Sequence, residues 1–551
     1  MRICMLNWPL VFHGALKGGI AGYTQVLALE LIERGHRVST VGSGTTYTPR
    51  QHSQTPKGRA NGVLGKLARA TGATRPAEQT DQRIEPGPCT PVRHPDWFGM
   101  AVYEITNSPV LAPSLLQFNE PMAEVSSPKL EAVFGEIIAL EKPDVLHVQS
   151  LEGFSLGCLD VARRVGCRII YSLHNYHPLC PQVYLTRGHR APCTNYDGGR
   201  ACNNCVPAPD AATERNRRAA AHPNEPPPFE APSNPAPPLP PTESVALEQS
   251  PPKIDPEADP RGMSALLRSW QTPRHWCTPD DPNWQPFDNV PRAEPTIEGE
   301  TTDYARRRAA FIEALNHCDT VHAVSSFVAG KFVAHGVDEA RVKTLTIGTI
   351  ANDLREHNAE LAFAPPPRPT PASRPLRAVF IGVNHWYKGL SMLADSLEML
   401  TPDVLGSIEL SVFAAGGQTI EYRFRRLEPR LARLRYGYEY GPQDLPWMCG
   451  GQDVGLVPSV WWDNGPQTVL EMQANGLPVL GANAGGIPDF VQHEANGLLF
   501  NANDRFDLAG TLARCVNDPP LVVGLRSRVR PPKTMAEHAR EMEPLYAGGV
   551  S

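Results

Sequence analysis

The chain has 551 residues, 41% of them hydrophobic, and a formal net charge of −6. That length exceeds what one compact core organises and predicts two or more domains. The mildly acidic balance excludes general binding to nucleic-acid polymers, which calls for a strongly basic face.

The opening predicts a strand over Arg2 to Leu6, a glycine-containing loop, and a helix from about Ile20 to Arg34. Tyr23, Val26, Leu27, Glu30 and Leu31 give that helix one buried face. Gly35 is placed to end it, and HRVSTV follows as a second strand. This β-α-β start is how a doubly wound sheet begins. The polar stretch from Thr45 to Pro95 carries no assignable pattern. A helix is expected near Pro128 to Glu141, then strands over Asp144 to Val148 and Arg168 to Leu173 with a helix between them.

Residues 206–300 hold 22 of the 57 prolines and few long apolar runs. Too little surface can be buried there to offset ordering, so a long, mainly disordered insertion is expected. Trp270, Trp276 and Trp284 mark a part of it that docks on the folded body. A helix returns at Tyr304, followed by a strand in DTVHAVS. A second proline-rich run, 364–375, reads as a linker. Beyond it LRAVFIG, a loop with Lys388 and Gly389, and LSMLADSLEML begin another β-α-β series, continued by IELSVFAAGG, DVGLVPS, TVLEMQANG and LPVLGA. The expected layout is an α/β N-terminal domain over 1–363, the linker, a C-terminal domain over 376–530, and a last helical stretch over 531–551. Ligands of such sheets lie at the carboxyl ends of the strands.

No run of about 18 apolar residues occurs, so no membrane span is expected. The first residues lack the layout of a signal peptide. Twelve scattered cysteines suit a reducing compartment, and a cytoplasmic location follows as an expectation. Six arginines between Arg423 and Arg435 read either as a solvated helix face or as a contact for an anionic membrane, which leaves peripheral membrane association open.

Gly18 and Gly19 lie at the first strand-to-helix junction, where absent side chains and a helix N-terminus suit a phosphate; the same pair is also an ordinary turn. The second junction is more informative. DVGLVPS ends a strand, WWDNGP forms a loop, and QTVLEMQANG starts a helix, with Asp463 and Glu471 eight residues apart. Two carboxylates so placed can hold two polyols, a sugar and a ribose, while the amides between them face a diphosphate. The alternative is a helix cap at Asp463 and a surface residue at Glu471. Cys180, Cys193, Cys202 and Cys205 form a second constellation, C-x12-C-x8-C-x2-C. Its tight Cys-x-x-Cys half suits a structural zinc; reduced structural thiols are the alternative. His147, within a strand, reads as structural, and His177 as either structural or lining the acceptor side.

The stretch PSVWWDNGPQTVLEMQANGLPVLGANAGGIPDFV, followed by NGLLF, resembles the nucleotide-sugar signature of the family-four (group 1) retaining glycosyltransferases. Further matching pieces, in order, are GGIAGYTQVLALELIERGHRVSTV, PDVLHVQSLEG, IIYSLHNYHPLCPQ, CDTVHAVSSFVAGKFVAHGV, VFIGVNHWYKGLSMLADSLEML and TMAEHAREMEPLY. The resemblance implies the GT-B fold, two Rossmann-like domains facing across a cleft, with the last helix crossing back to the first domain. It implies transfer of a sugar from a nucleotide-diphosphate sugar to a saccharide, lipid-linked or small-metabolite acceptor of a surface-polysaccharide pathway. By position, Gly19 would admit the donor diphosphate, His174 would face the transferred sugar, and Lys388 would bind the diphosphate. Asp463 would hold sugar hydroxyls, the amides of Asn464, Gly465, Pro466 and Gln467 the phosphates (Pro466 contributing backbone shape only), and Glu471 the ribose.

Three positions depart from the pattern: Asp463 where Glu is usual, Asn175 where Asp is common, and Val383 where many members have an arginine on the diphosphate. Valine removes a fork of donors, so Lys388 carries more of the leaving-group charge unless His385 or a distant arginine contributes. No Asp-x-Asp occurs in the chain, in keeping with catalysis that needs no metal cofactor. Two other readings share the fold: a sugar-nucleotide epimerase or phosphorylase, and a non-catalytic scaffold.

Overall fold

A computed structural model describes residues 1–10, 19–50, 85–189, 191–221, 287, 289–293, 302–352, 354, 374–438 and 440–548. Gly18, the three tryptophans at 270, 276 and 284, most of the proline-rich segment and most of the 364–375 run lie outside them.

Sixteen strands are present among the described residues. In chain order they are β1 (Arg2–Leu6), β2 (Arg37–Ser43), β3 (Thr90–Trp97), β4 (Met100–Thr106), β5 (Val145–Val148), β6 (Arg168–Leu173), β7 (Thr186–Arg187), β8 (Ala191–Pro192), β9 (Thr320–Ala323), β10 (Val342–Thr344), β11 (Leu376–Val383), β12 (Ile408–Ala415), β13 (Arg433–Gly437), β14 (Val454–Val457), β15 (Val479–Asn483) and β16 (Gly497–Asn501). An eight-stranded sheet has the order β10-β9-β6-β5-β1-β2-β4-β3, and a six-stranded sheet the order β13-β12-β11-β14-β15-β16. Pairing is parallel throughout both, except that β3 runs antiparallel to β4 at the edge of the first. Central strands such as RICML and VLHV are buried along nearly their whole length, as a parallel sheet covered by helices on both faces requires. Each sheet anchors its own hydrophobic core. The result is the GT-B architecture: two Rossmann-like sheets, each doubly wound.

The first helix is Gly19–Glu33, with Tyr23, Leu27 and Leu31 on its buried face. The β3–β4 pair falls partly in the stretch that carried no sequence pattern. The first residues of the proline-rich segment are also ordered: Ala211–Ala221 is a helix. Its anchor is polar. The buried Arg218 guanidinium donates to Gly44 O at 2.8 Å and Ala112 O at 2.9 Å and pairs with Glu214 at 2.9 Å. Farther along, Phe287 packs against both cores, and Asn289 exchanges hydrogen bonds with the backbone of Gly485.

The helix Met535–Ala547 begins with a capping box of Thr534 and Glu537. It buries Met535, Ala539, Met542, Leu545 and Tyr546 in the core of the first sheet, each large apolar side chain contributing about 1.5–3 kcal/mol. Glu543 pairs with Arg34 at 2.5 Å and His36 at 2.9 Å; the Tyr23 hydroxyl meets His538 Nε2 at 2.6 Å and that of Tyr546 meets His147 Nδ1 at 2.9 Å. Where the chain returns, it runs beside the segment that left the first domain. Thr349 N donates to Lys533 O at 3.0 Å, Lys533 Nζ to Thr346 O at 3.1 Å, and Asn352 Nδ2 to Pro532 O at 2.8 Å.

Candidate functional site

Two strand-to-helix turns of the second sheet meet at their carboxyl ends. After β11 the chain makes a tight turn, Trp386–Lys388, and passes through Gly389 into the helix Leu390–Glu398. Gly389 has φ +72°, and a Cβ there would lie 1.6 Å from Pro458 O. Only glycine lets this turn press against the segment after β14. Val460 N donates to Tyr387 O at 3.0 Å, fastening the two loops together.

On this frame Lys388 Nζ reaches Asp463 Oδ2 at 3.1 Å. Asp463, 5% exposed, also accepts from Ser459 Oγ at 3.2 Å. Its backbone is clasped by the Gly485–Gly486 turn, with Gly486 N donating to Asp463 O at 2.7 Å. A Cβ on Gly485, which has φ +56°, would strike that backbone. The helix Gln467–Ala474 follows, with Pro466 at its N-cap and no side chain capping it. Val469 N turns back to Pro466 O at 3.0 Å, and the amides before it face outward from the helix start, where an anionic acceptor is favoured. Glu471 lies just beyond the first turn. Desolvation raises its pKa to about 7 against the pull of Lys388. Desolvation works against the Lys388 ammonium too, but Asp463, Tyr387 and Glu471 outweigh it and hold its pKa above the ordinary value. One ammonium thus stands between two carboxylates beside an uncapped helix end, a set suited to a group that is anionic at one end and rich in hydroxyls at the other.

The first domain closes on this turn. Gln467 Nε2 donates to Gly19 O at 3.4 Å, and a Cβ on Gly19 would meet nothing within 4 Å among the described residues. A Cβ on Gly465 would lie 3.2 Å from Val324 at the end of β9, and Asp489 accepts from Ser326 N and Oγ at 2.5 and 2.6 Å. His174 follows β6, with Nε2 bonded to Gln149 Oε1 at 2.8 Å and its ring 4.6 Å from Tyr23. Desolvation, then His322, lowers its pKa to about 3, so the imidazole is neutral at ordinary pH. Asn175 donates to Glu152 at 3.0 Å.

The structure bears on several further sequence expectations. His177, read as either structural or acceptor-lining, is buried and donates to Glu124 at 2.9 Å within an ion-paired cluster with Arg307. Desolvation, His189 and Lys388 hold His385, the other histidine considered for the leaving-group charge, well below its ordinary pKa. The four cysteines do gather on the loop after β6, where burial and the other three thiols push Cys180 up. Yet among the described residues no three His, Cys, Asp or Glu side chains are arranged to hold a metal ion. Cys205 Sγ instead accepts from Gln182 Nε2 at 3.1 Å and Gly188 N at 3.3 Å. Of the arginine-rich run, Arg423 and Arg425 are committed to surface ion pairs with Asp395, Glu398, Glu421 and Glu428.

Sequence reasoning missed Ser459, Tyr176 and Trp461. The aromatic residues were visible in HNYHP and VWWDN, but nothing in those strings separates a core ring from a site ring.

Residues 375–518 match the model of the family described as "Glycosyl transferases group 1". The chain is similar to D-inositol 3-phosphate glycosyltransferase of Corynebacterium efficiens, 28% identical over 167 residues, or 29% of this chain and 38% of that protein. To the enzyme of the same name from Saccharomonospora viridis it is 40% identical over 101 residues, 18% of this chain and 21% of that protein. The similarity therefore spans well under half the length of these relatives. Among solved structures, sucrose-phosphate synthase from Thermosynechococcus elongatus superposes with a TM-score of 0.54 at 14% identity, covering 99% of this chain and 98% of that one. That likeness concerns the fold.

Proposed function

We propose that this chain, whose residues 375–518 match the group 1 glycosyl transferase family, is a retaining glycosyltransferase using a nucleoside-diphosphate sugar. One observation carries the reading. Lys388, Asp463, Glu471 and the uncapped start of the 467–474 helix converge on one strand–loop–helix turn that faces Gly19.

The chemistry follows from those parts. As the anomeric bond breaks, negative charge grows on the diphosphate. An ammonium and a helix N-terminus aimed at that charge stabilise the transition state more than the ground state. In this role Lys388 and the backbone of 464–467 hold the diphosphate, Glu471 accepts from the ribose, and Asp463 accepts from the sugar. No metal is needed in such a scheme, because Lys388 and the amides supply the positive potential. His174, neutral and turned to Gln149, borders the sugar as a polar wall. The reading includes front-face displacement, in which the leaving phosphate takes the acceptor's proton, so the anomeric configuration is kept.

The acceptor in this reading is a saccharide, a lipid-linked sugar or a small metabolite of a surface-polysaccharide pathway, met at the inner face of the membrane. No helix among the described residues is long and apolar enough to cross a membrane. The test is a thermal-shift screen of UDP- and GDP-sugars, in which a bound ligand at 100 times its dissociation constant adds about 2.7 kcal/mol. Proton NMR of the product from the positive donor should then show retained configuration. An inverted product would remove the mechanism, and no response to any nucleotide sugar would remove the function.

A further inference from the structure

Buried polar atoms without partners are rare in folded proteins, and a group of them in one place needs an explanation. Three such side chains surround Asp463. Asn464, 3% exposed, has no hydrogen-bond partner among the described residues for either Oδ1 or Nδ2. Trp461, 7% exposed, has none for Nε1, and Tyr176, fully buried, has none for its hydroxyl. The three come from opposite sides of the cleft. Tyr176 follows His174 after β6, while Trp461 and Asn464 flank Asp463 after β14, and the Tyr176 and Trp461 rings meet edge-on at 6.1 Å. The Tyr176 hydroxyl lies within the field of Asp463. Gly465 and Gly486 let the backbone around Asn464 press against Val324 and Ser325, so this amide sits at the seam between the domains.

We infer that Asn464, Trp461 and Tyr176 read the hydroxyl pattern of the transferred sugar, which makes them specificity-determining residues beside the diphosphate site. This deepens the proposed function and rests on it. The chemistry of the three matches a polyol and little else. An amide offers one donor pair and one acceptor, the indole only a donor, and the phenol either. A ring hydroxyl both gives and takes a hydrogen bond, so a vicinal diol satisfies such a set, whereas a phosphate would leave the amide oxygen facing an anion. A site built to pair hydroxyls also rejects analogues that lack them by large factors, because its own buried groups then stay unpaired.

The experiment compares ligands with and without the sugar. Isothermal titration calorimetry is run with UDP-glucose, UDP-galactose, UDP-N-acetylglucosamine and GDP-mannose, and with UDP and GDP alone. The proteins are the full-length chain and its Asn464→Ala and Tyr176→Phe variants. The phenylalanine variant preserves packing, and thermal unfolding checks that both fold. For the preferred nucleotide sugar, affinity falls tenfold or more in Asn464→Ala and severalfold in Tyr176→Phe, while the matching nucleoside diphosphate stays within twofold. Equal losses for sugar nucleotide and diphosphate would overturn the inference and leave the proposed function standing. Unchanged binding of both would also overturn it. A wild-type chain that binds none of the six ligands would overturn the inference together with the function it rests on.

Discussion

The substitution Glu124→Gln isolates the buried charge pair that supports the His174–His177 segment. Glu124 and Arg307 are both 0% exposed, with Arg307 Nε 2.5 Å from Glu124 Oε2. Arg307 also donates to His177 O at 2.9 Å, and Glu124 accepts from Ser114 Oγ at 2.6 Å and His177 Nε2 at 2.9 Å. Burial alone would raise the Glu124 pKa; Arg307, His177 and Ser114 outweigh it and bring the pKa down from 4.5 to about 2. A carboxylate whose folded pKa is depressed adds stability above its unfolded pKa and gives it up as pH falls towards the folded value. Here that amounts to ~3 kcal/mol at pH 7 and about half as much at pH 3. Glutamine removes the charge and leaves Arg307 buried without its counter-ion, a loss of about 3–5 kcal/mol in comparable pairs. Urea unfolding followed by circular dichroism, at pH 7 and pH 3, should find the variant ~3 kcal/mol less stable at the first pH and the gap roughly halved at the second. A gap under about 1 kcal/mol at pH 7, or one unchanged at pH 3, would refute the reasoning.

Three further outcomes are expected. Lys388→Met should lower turnover of the preferred nucleotide sugar by two to three orders of magnitude, about what removing one charge-stabilising donor costs. Adding Val383→Arg should restore at least tenfold, measured by release of nucleoside diphosphate. Gly389→Ala places a methyl against Pro458 O and forces a positive φ that costs about 1–2 kcal/mol before the clash is counted. Its unfolding midpoint should fall by several degrees, whereas Gly19→Ala, whose Cβ meets nothing among the described residues, should unfold like the parent. Because Glu471 titrates near 7, its ionised and hydroxyl-accepting form grows from pH 6 to pH 8. Calorimetric affinity for a nucleotide sugar should rise over that interval and become flat in Glu471→Gln.

Much of this fold could be read from the chain because parallel strands buried on both faces announce themselves as short apolar runs. Arg168 to Leu173 was expected and found with the same ends, and the first helix was expected within one residue of Gly19–Glu33. The β3–β4 edge was not legible, since TPVRHPDW carries prolines and charges that an edge strand tolerates and a central one does not. The Ala211–Ala221 helix was hidden for another reason. Its anchor is a buried arginine reaching three backbone carbonyls, and nothing local marks Arg218 as different from its neighbours. In the site, the eight-residue spacing of Asp463 and Glu471 was plain. The partnership of Glu124 with Arg307, 183 residues away, and the unpaired state of Asn464 and Tyr176 exist only once the chain is folded.

The described start of the outward passage between the two sheets, Thr346–Asn352, lies beside the homeward one at Pro532–Thr534 and is bonded to it. Two parallel cords fixed along one line behave as a pintle rather than a ball joint. Swinging the halves apart about that line would leave the zipper whole, whereas sliding or twisting them would tear its hydrogen bonds. A hinge on that line would confine the halves to a single arc and bring Gln467 and Gly19 back to the same contact.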